Sequence, residues 1–255
     1  TRYMATLLSE LGVACGHEHA IQPLATWHGV LAWYEAAEHG ESSWMGWTVA
    51  AGLPARVPVL HVIRNPWNVI DSLANRNGIL NRDGTDAGLA RVRDVLRAYA
   101  PDVLQWPRKI DRAAALVVRW NRLIHQRCPW SVPFRVEDLD VGSVRHLLAH
   151  IGAERTREEI ARAVAKIPPR INSGTIAARQ HAPDDPAVAE IVDRYATQPN
   201  CRVMSLERTD SEPTRPTPEQ VAALVDPVLL ESVNHWAAEC RYPEARCRAS
   251  CGSQP

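Results

Sequence analysis

Val57-Pro58-Val59-Leu60-His61-Val62-Ile63-Arg64-Asn65-Pro66-Trp67-Asn68-Val69-Ile70-Asp71-Ser72 is the stretch on which the fold turns. Its first seven residues are an almost unbroken apolar run, the pattern of a strand covered on both faces in a parallel sheet. Arg64-Asn65-Pro66 ends that run. Proline at 66 suits the first turn of a helix, where its missing N–H is no loss, and Trp67, Ile70, Leu73 and Ala74 then give the helix an apolar stripe. The stretch predicts a strand, a tight turn and a helix start.

The flanking sequence repeats this alternation. Upstream, Met4, Leu7, Leu8 and Leu11 have the spacing of a one-sided helix stopped by Gly12. Val13-Ala14-Cys15 reads as a short strand entering the polar cluster Gly16-His17-Glu18-His19, and a helical pattern follows from Ile21 to Glu38. Downstream, helices are expected over 86–99, 108–126, 141–151 and 156–165, with a second buried strand at Val132-Pro133-Phe134-Arg135-Val136. A last helix pair is expected at 218–225 and 227–239. The fold class this predicts is α/β: a central parallel sheet flanked by helices, in one domain over 1–255, with ligands at the carboxyl ends of the strands. Prolines recur from 183 onward, so 183–255 reads as less regular, with a linker near 208–217.

Composition narrows the function. With 29 basic and 29 acidic residues the formal net charge is zero, which argues against a broad surface for nucleic acid or anionic membrane. Any anion site must then be local. Only Lys109 and Lys166 are lysines, so the basic residues are nearly all arginine. No run approaches the ~20 apolar residues of a membrane span, and Thr1-Arg2-Tyr3-Met4 lacks the layout of a signal peptide, so the start reads as cut rather than processed. Six scattered cysteines and the lack of any glycosylation sequon point to a reducing, cytoplasmic setting.

Several residues can carry chemistry. Arg64 at a strand end and Ser72 in the next helix can converge on one anion through a guanidinium fork and a hydroxyl; alternatively Arg64 pairs with an acid. The polar cluster after the first strand puts Glu18, His17 and His19 at a strand's carboxyl end, where groups able to exchange a proton are to be inspected. Cys15, His17 and His19 also permit a metal reading, but no second ligand group stands nearby. His235, Cys240, Cys247 and Cys251 lack a paired Cys-x-x-Cys and read as incidental. Trp27, Trp33, Trp44 and Trp47 cluster between that polar cluster and the main strand, so one or two are candidates for stacking on an aromatic or sugar ligand while most belong to the core.

Arg64-Asn65-Pro66 with Ser72 resembles the 3′-phosphate-binding motif of sulfotransferases that use 3′-phosphoadenosine 5′-phosphosulfate (PAPS). Thr1-Arg2-Tyr3-Met4 running into a helix is similar to the back half of that family's phosphosulfate loop, and Arg135-Val136-Glu137-Asp138-Leu139 to its strand-end Arg-x-Glu-Asp-Leu; Trp120-Asn121 also fits. The likeness spans residues 1 to about 180 and implies a P-loop-like three-layer fold. It further implies that Thr1 and Arg2 contact the phosphosulfate and that Arg64 and Ser72 hold the 3′-phosphate. Arg170 or Arg179 would reach a phosphate from a covering loop, and Glu18, His17 or His19 would be the base. No metal or other cofactor is implied. The acceptor would be a small molecule or glycan carrying a hydroxyl or amine, and a homodimer is allowed. The family's basic, glycine-rich half of the loop would precede Thr1. Two other classes stay open: a P-loop kinase-like phosphotransferase, for which Asp71 and Asp138 are poorly placed to hold Mg²⁺, and a degenerate nucleotide-binding or interaction protein.

Overall fold

The computed structural model describes residues 2–18, 21, 27–37, 40–75, 80–81, 87–167 and 216–242, and all of these belong to one unit. The chain opens with α1 (Arg2–Glu10), whose buried Met4, Leu7 and Leu8 are the predicted stripe. Gly12 ends it at φ +69, a left-handed geometry that suits glycine, while the Val13 N–H returns to the Leu8 carbonyl at 2.8 Å. Two strands, β1 (Cys15–His17) and β2 (Gly40–Ser42), flank α2 (Trp27–Ala37) and pair in parallel, with Gly16 opposite Glu41 and His17 opposite Ser42. After α3 (Gly46–Val49), β3 (Leu60–Ile63) runs into α4 (Pro66–Asn75).

Next come α5 (Ala87–Tyr99), α6 (Pro101–Gln105) and α7 (Lys109–Arg127), and then β4 (Val132–Arg135), which pairs in parallel with β3, Leu60 opposite Val132 and Ile63 opposite Arg135. Two helices with capping boxes follow: α8 (Val141–His150), capped by Asp140 and Ser143, and α9 (Arg157–Lys166), capped by Thr156 and Glu159. Residues 216–242 supply α10 (Pro218–Ala222) and α11 (Pro227–Glu239). Ile63, Trp67 and Ile70 share one apolar core with Leu96 of α5, Leu116 of α7 and Val233 of α11. Burying side chains of this size contributes about 1.5–3 kcal/mol each, so the strand–turn–helix unit is fixed mainly through α4 and α7.

Mixed α/β character with parallel pairing is therefore present, and among the described residues the strands form two separate two-stranded ladders. Several boundaries differ from the sequence expectation. The apolar run from Val57 enters the ladder only at Leu60: Pro58 has no N–H to give, although the Val59 carbonyl accepts the Val132 N–H at 3.0 Å. The first strand lies at 15–17 rather than 13–15, since it is Gly40–Ser42 that offers it a partner. Of the helix expected over 21–38, α2 covers 27–37, while 22–26 and 38 lie outside the described residues; the one expected over 218–225 ends at Ala222. Among the described residues no helix is long and apolar enough to cross a membrane.

Candidate functional site

The turn after β3 is built by its own residues and by a distant carboxylate. Asn65 caps α4: its Oδ1 accepts the Trp67 N–H at 3.0 Å and its carbonyl accepts the Val69 N–H at 3.2 Å, with Pro66 in the first helical position. The Asn65 N–H donates to Glu137 Oε1 at 2.9 Å. Arg64 and Ser72 are both half-buried. Trp67, Ile70 and Leu73 face the core, and helical spacing places Ser72 on the other side of α4, one turn beyond Asn68 and in line with the capped end.

Glu137 lies in the short 3-10 turn that continues β4, so the strand-end Arg-x-Glu-Asp-Leu braces the Arg64–Pro66 turn. Its other oxygen, Oε2, accepts the Tyr242 hydroxyl at 2.6 Å. The Arg135 guanidinium lies 4.1 Å from the centre of the Tyr242 ring, donates to the Arg241 carbonyl at 3.2 Å and approaches Asp138 at 3.4 Å. Burial, reinforced by the Glu137 contact, pushes the Tyr242 phenol well above its ordinary pKa, so it stays protonated and donating. Within the strand that leads into the turn, His61 is 3% exposed. Its Nε2–H donates to Asn121 Oδ1 at 2.8 Å, since the Asn121 amide donates to the Val117 carbonyl at 2.7 Å. Burial holds His61 below the ordinary imidazole pKa, which keeps it neutral.

The end of the other ladder has a different character. Glu18 follows β1 at φ +60, a left-handed conformation that a non-glycine residue adopts only at a cost of about 1–3 kcal/mol. Its N–H donates to the Ser42 carbonyl at 3.2 Å, which ties it to β2, and His17 Nε2 lies 4.0 Å from its Oε1. Burial raises the Glu18 pKa and the Glu41 carboxylate raises it further, while the Trp44 N–H pulls the other way. Cys15 feels the same surroundings: burial and then Glu41 push its thiol up to about 11. The short β1–β2 ladder thus carries a protonated thiol at its start and two carboxylates, one of them with its pKa raised by burial and by the other.

Of the residues singled out from sequence, Arg64 and Ser72 are brought to one turn and helix, and His17 and Glu18 to the end of the other ladder. Arg2 is exposed at the start of α1. Thr1, His19, Arg170 and Arg179 lie outside the described residues, as do Cys247, Cys251 and the side chains of Trp27 and Trp33. Trp47 cannot stack on an acceptor, because it is fully buried against Tyr99 in the core; Trp44 is half-buried beside Trp120 at 6.1 Å. His235 pairs with Glu239 at 2.9 Å, and Cys240 is buried with its thiol pushed up to about 12. Among the described residues no group of three or more His, Cys, Asp or Glu is placed to hold a metal ion. A cleft of about 640 Å³ between α6, α7 and α11 includes Trp106, Arg119, Arg122 and Ser232, and none of the predicted site residues lines it.

Sequence reasoning missed Glu41 and Tyr242. Glu41 lies in Gly-Glu-Ser, a three-residue strand without β-branched or aromatic side chains, and Tyr242 is 105 residues from the glutamate it contacts. No family model, no curated protein and no solved structure matches the chain.

Proposed function

We propose that the chain is a PAPS-dependent sulfotransferase that sulfates a hydroxyl or amine on a small molecule or glycan. The observation that supports this most is the β3–α4 unit. A half-buried arginine closes a strand, an asparagine-capped, proline-started helix follows, and a serine sits two turns along on the side away from the core. Arg64 offers a planar fork and Ser72 a hydroxyl to the nucleotide's 3′-phosphate, and the positive end of α4 favours the same charge. In this reading both ladders belong to one central parallel sheet of the P-loop-like sandwich. Thr1 and Arg2 face the 5′-phosphosulfate, and Arg179 covers the nucleotide.

The chemistry asks little of the protein beyond placement. The acceptor oxygen or nitrogen bonds to sulfur as the bond from sulfur to the bridging phosphate oxygen breaks; the leaving group is adenosine 3′,5′-bisphosphate. Glu18 receives the acceptor's proton, with His17 or His19 as the alternative base. A carboxylate with a raised pKa is a stronger base than an ordinary glutamate, and this fits the task. Isothermal titration of the gene product carrying this chain with adenosine 3′,5′-bisphosphate tests the reading. Binding is expected, and Arg64→Ala should weaken it by roughly 10- to 100-fold, the loss of a charge-assisted contact. No binding, or an unchanged affinity in Arg64→Ala, would sink it.

A further inference from the structure

α11 meets β3 through one ring contact, and the residues just beyond the helix meet β4 and the turn that continues it. Trp236 stacks on the buried His61 at 6.1 Å with the rings 29° apart, so helix and strand are in register near the middle of the strand. Beyond the helix end the chain turns sharply: Arg241 adopts φ +60, its N–H donates to the Ala238 carbonyl at 2.9 Å, and the Tyr242 N–H reaches back to Ala237 at 2.8 Å. That turn puts the Tyr242 ring at 5% exposure under Arg135 and aims its hydroxyl at Glu137. Glu137 is then occupied on both oxygens, by a hydroxyl from residue 242 and by the backbone N–H of residue 65.

We propose that Tyr242 is a positioning residue for the Arg64–Ser72 phosphate site, acting through Glu137 on the backbone of Asn65. The inference rests on the sulfotransferase reading above. Asn65 joins Arg64 to the first turn of α4, so fixing its N–H sets the direction in which Arg64 leaves the strand and the start of the helix that carries Ser72. A carboxylate beside an anion site would ordinarily repel the anion; here the phenol hydroxyl holds it in one orientation and the positive charge of Arg135 nearby offsets part of its own. Tyr242 never touches the nucleotide. It sets how well two groups that do touch it are placed.

The test compares ligands that differ only in the 3′-phosphate. Tyr242→Phe keeps the ring over Arg135 and removes only the hydroxyl. Titrated against adenosine 3′,5′-bisphosphate it should bind roughly 3- to 10-fold more weakly than the parent, the effect of one neutral hydrogen bond, while affinity for adenosine 5′-monophosphate stays unchanged. Tyr242→Phe placed in a Glu137→Ala background should cause no further loss, because the relay is already broken. Glu137→Gln keeps a carbonyl for Asn65 and removes the acceptor for the phenol; it carries the same comparison if Tyr242→Phe melts below the assay temperature. Parent-like bisphosphate affinity, equal losses for both nucleotides, or additive losses in the double variant would overturn the proposal. Failure of the parent to bind the bisphosphate, or indifference to Arg64→Ala, would instead overturn the sulfotransferase reading, and the positioning role with it.

Discussion

The two parallel ladders end in opposite ways. At the end of β3–β4, a carboxylate is satisfied on both oxygens, an arginine stacks on a tyrosine and contacts a carbonyl, and an asparagine caps the outgoing helix. At the end of β1–β2, a glutamate sits half-buried in a left-handed backbone conformation, and a second carboxylate, Glu41, adds to burial in raising its pKa and that of the Cys15 thiol. One end is held by compensating partners; the other stores strain and like charge. Strain and perturbed ionisation cluster where chemistry is done, whereas satisfied networks hold geometry, so the first end suits binding and the second suits proton transfer.

Glu18→Gly tests that division most sharply. Glycine accepts φ +60 freely, and the substitution also removes a half-buried carboxylate whose pKa is raised, so urea unfolding at neutral pH should show a gain of roughly 1 kcal/mol. If the proposed sulfotransferase reading holds, sulfuryl transfer should meanwhile fall by about 10²- to 10⁴-fold, the range for loss of a general base. A variant that gains stability and keeps its transfer rate would show that this end has no catalytic duty.

Glu137→Ala applies the reverse test to the satisfied end. It leaves the Asn65 N–H and the Tyr242 hydroxyl without their acceptor, and the urea midpoint should report a loss of about 1–3 kcal/mol. A stability change near zero would mean that water replaces the carboxylate there and that the end is not braced.

These ends were unequally legible in the sequence. The run from Leu60 to Ile63, Pro66, and the stripe at Trp67, Ile70 and Leu73 specify strand, turn and helix within sixteen residues, because each choice is local and all agree. The capping boxes at Asp140 and Thr156 are similarly local. Glu41 was hidden because parallel pairing joins strands separated by a whole helix, and a three-residue strand containing glycine has no periodicity to detect. Tyr242 was hidden for a related reason. Its partner Glu137 lies 105 residues earlier, with Arg135 beside it, and nothing in the sequence near 242 marks that return.

Arg241→Gly gives a smaller effect and refines the account of the satisfied end. Arg241 is the one strained residue there, at φ +60, and its exposed side chain is not what the network uses; its carbonyl, which accepts from Arg135, survives the substitution. Thermal unfolding should show a gain of about 0.5–1 kcal/mol. A loss instead would mean that the arginine side chain contributes to the turn, and strain would then not separate the two ends.

The finest distinction is electrostatic and belongs to Glu41. Glu18 has its pKa raised first by burial and then by Glu41, so its carboxyl holds a proton more tightly folded than unfolded. The stability this confers is complete below the ordinary glutamate range and is lost as pH rises through the raised folded value. The proposed transfer runs the other way: a Glu18 base would work only once deprotonated, so the acid limb of kcat/KM should lie above the ordinary glutamate range. Glu41→Gln removes the like charge but not the burial, so the limb should move to lower pH without reaching the ordinary range. The Cys15 thiol, held near 11 by burial and then by the same carboxylate, should follow it downward. Alkylation at residue 15, followed by mass spectrometry across alkaline pH, reads that shift without any substrate. A moved thiol with an unmoved acid limb would keep the electrostatics of this strand end and take the base role away from Glu18.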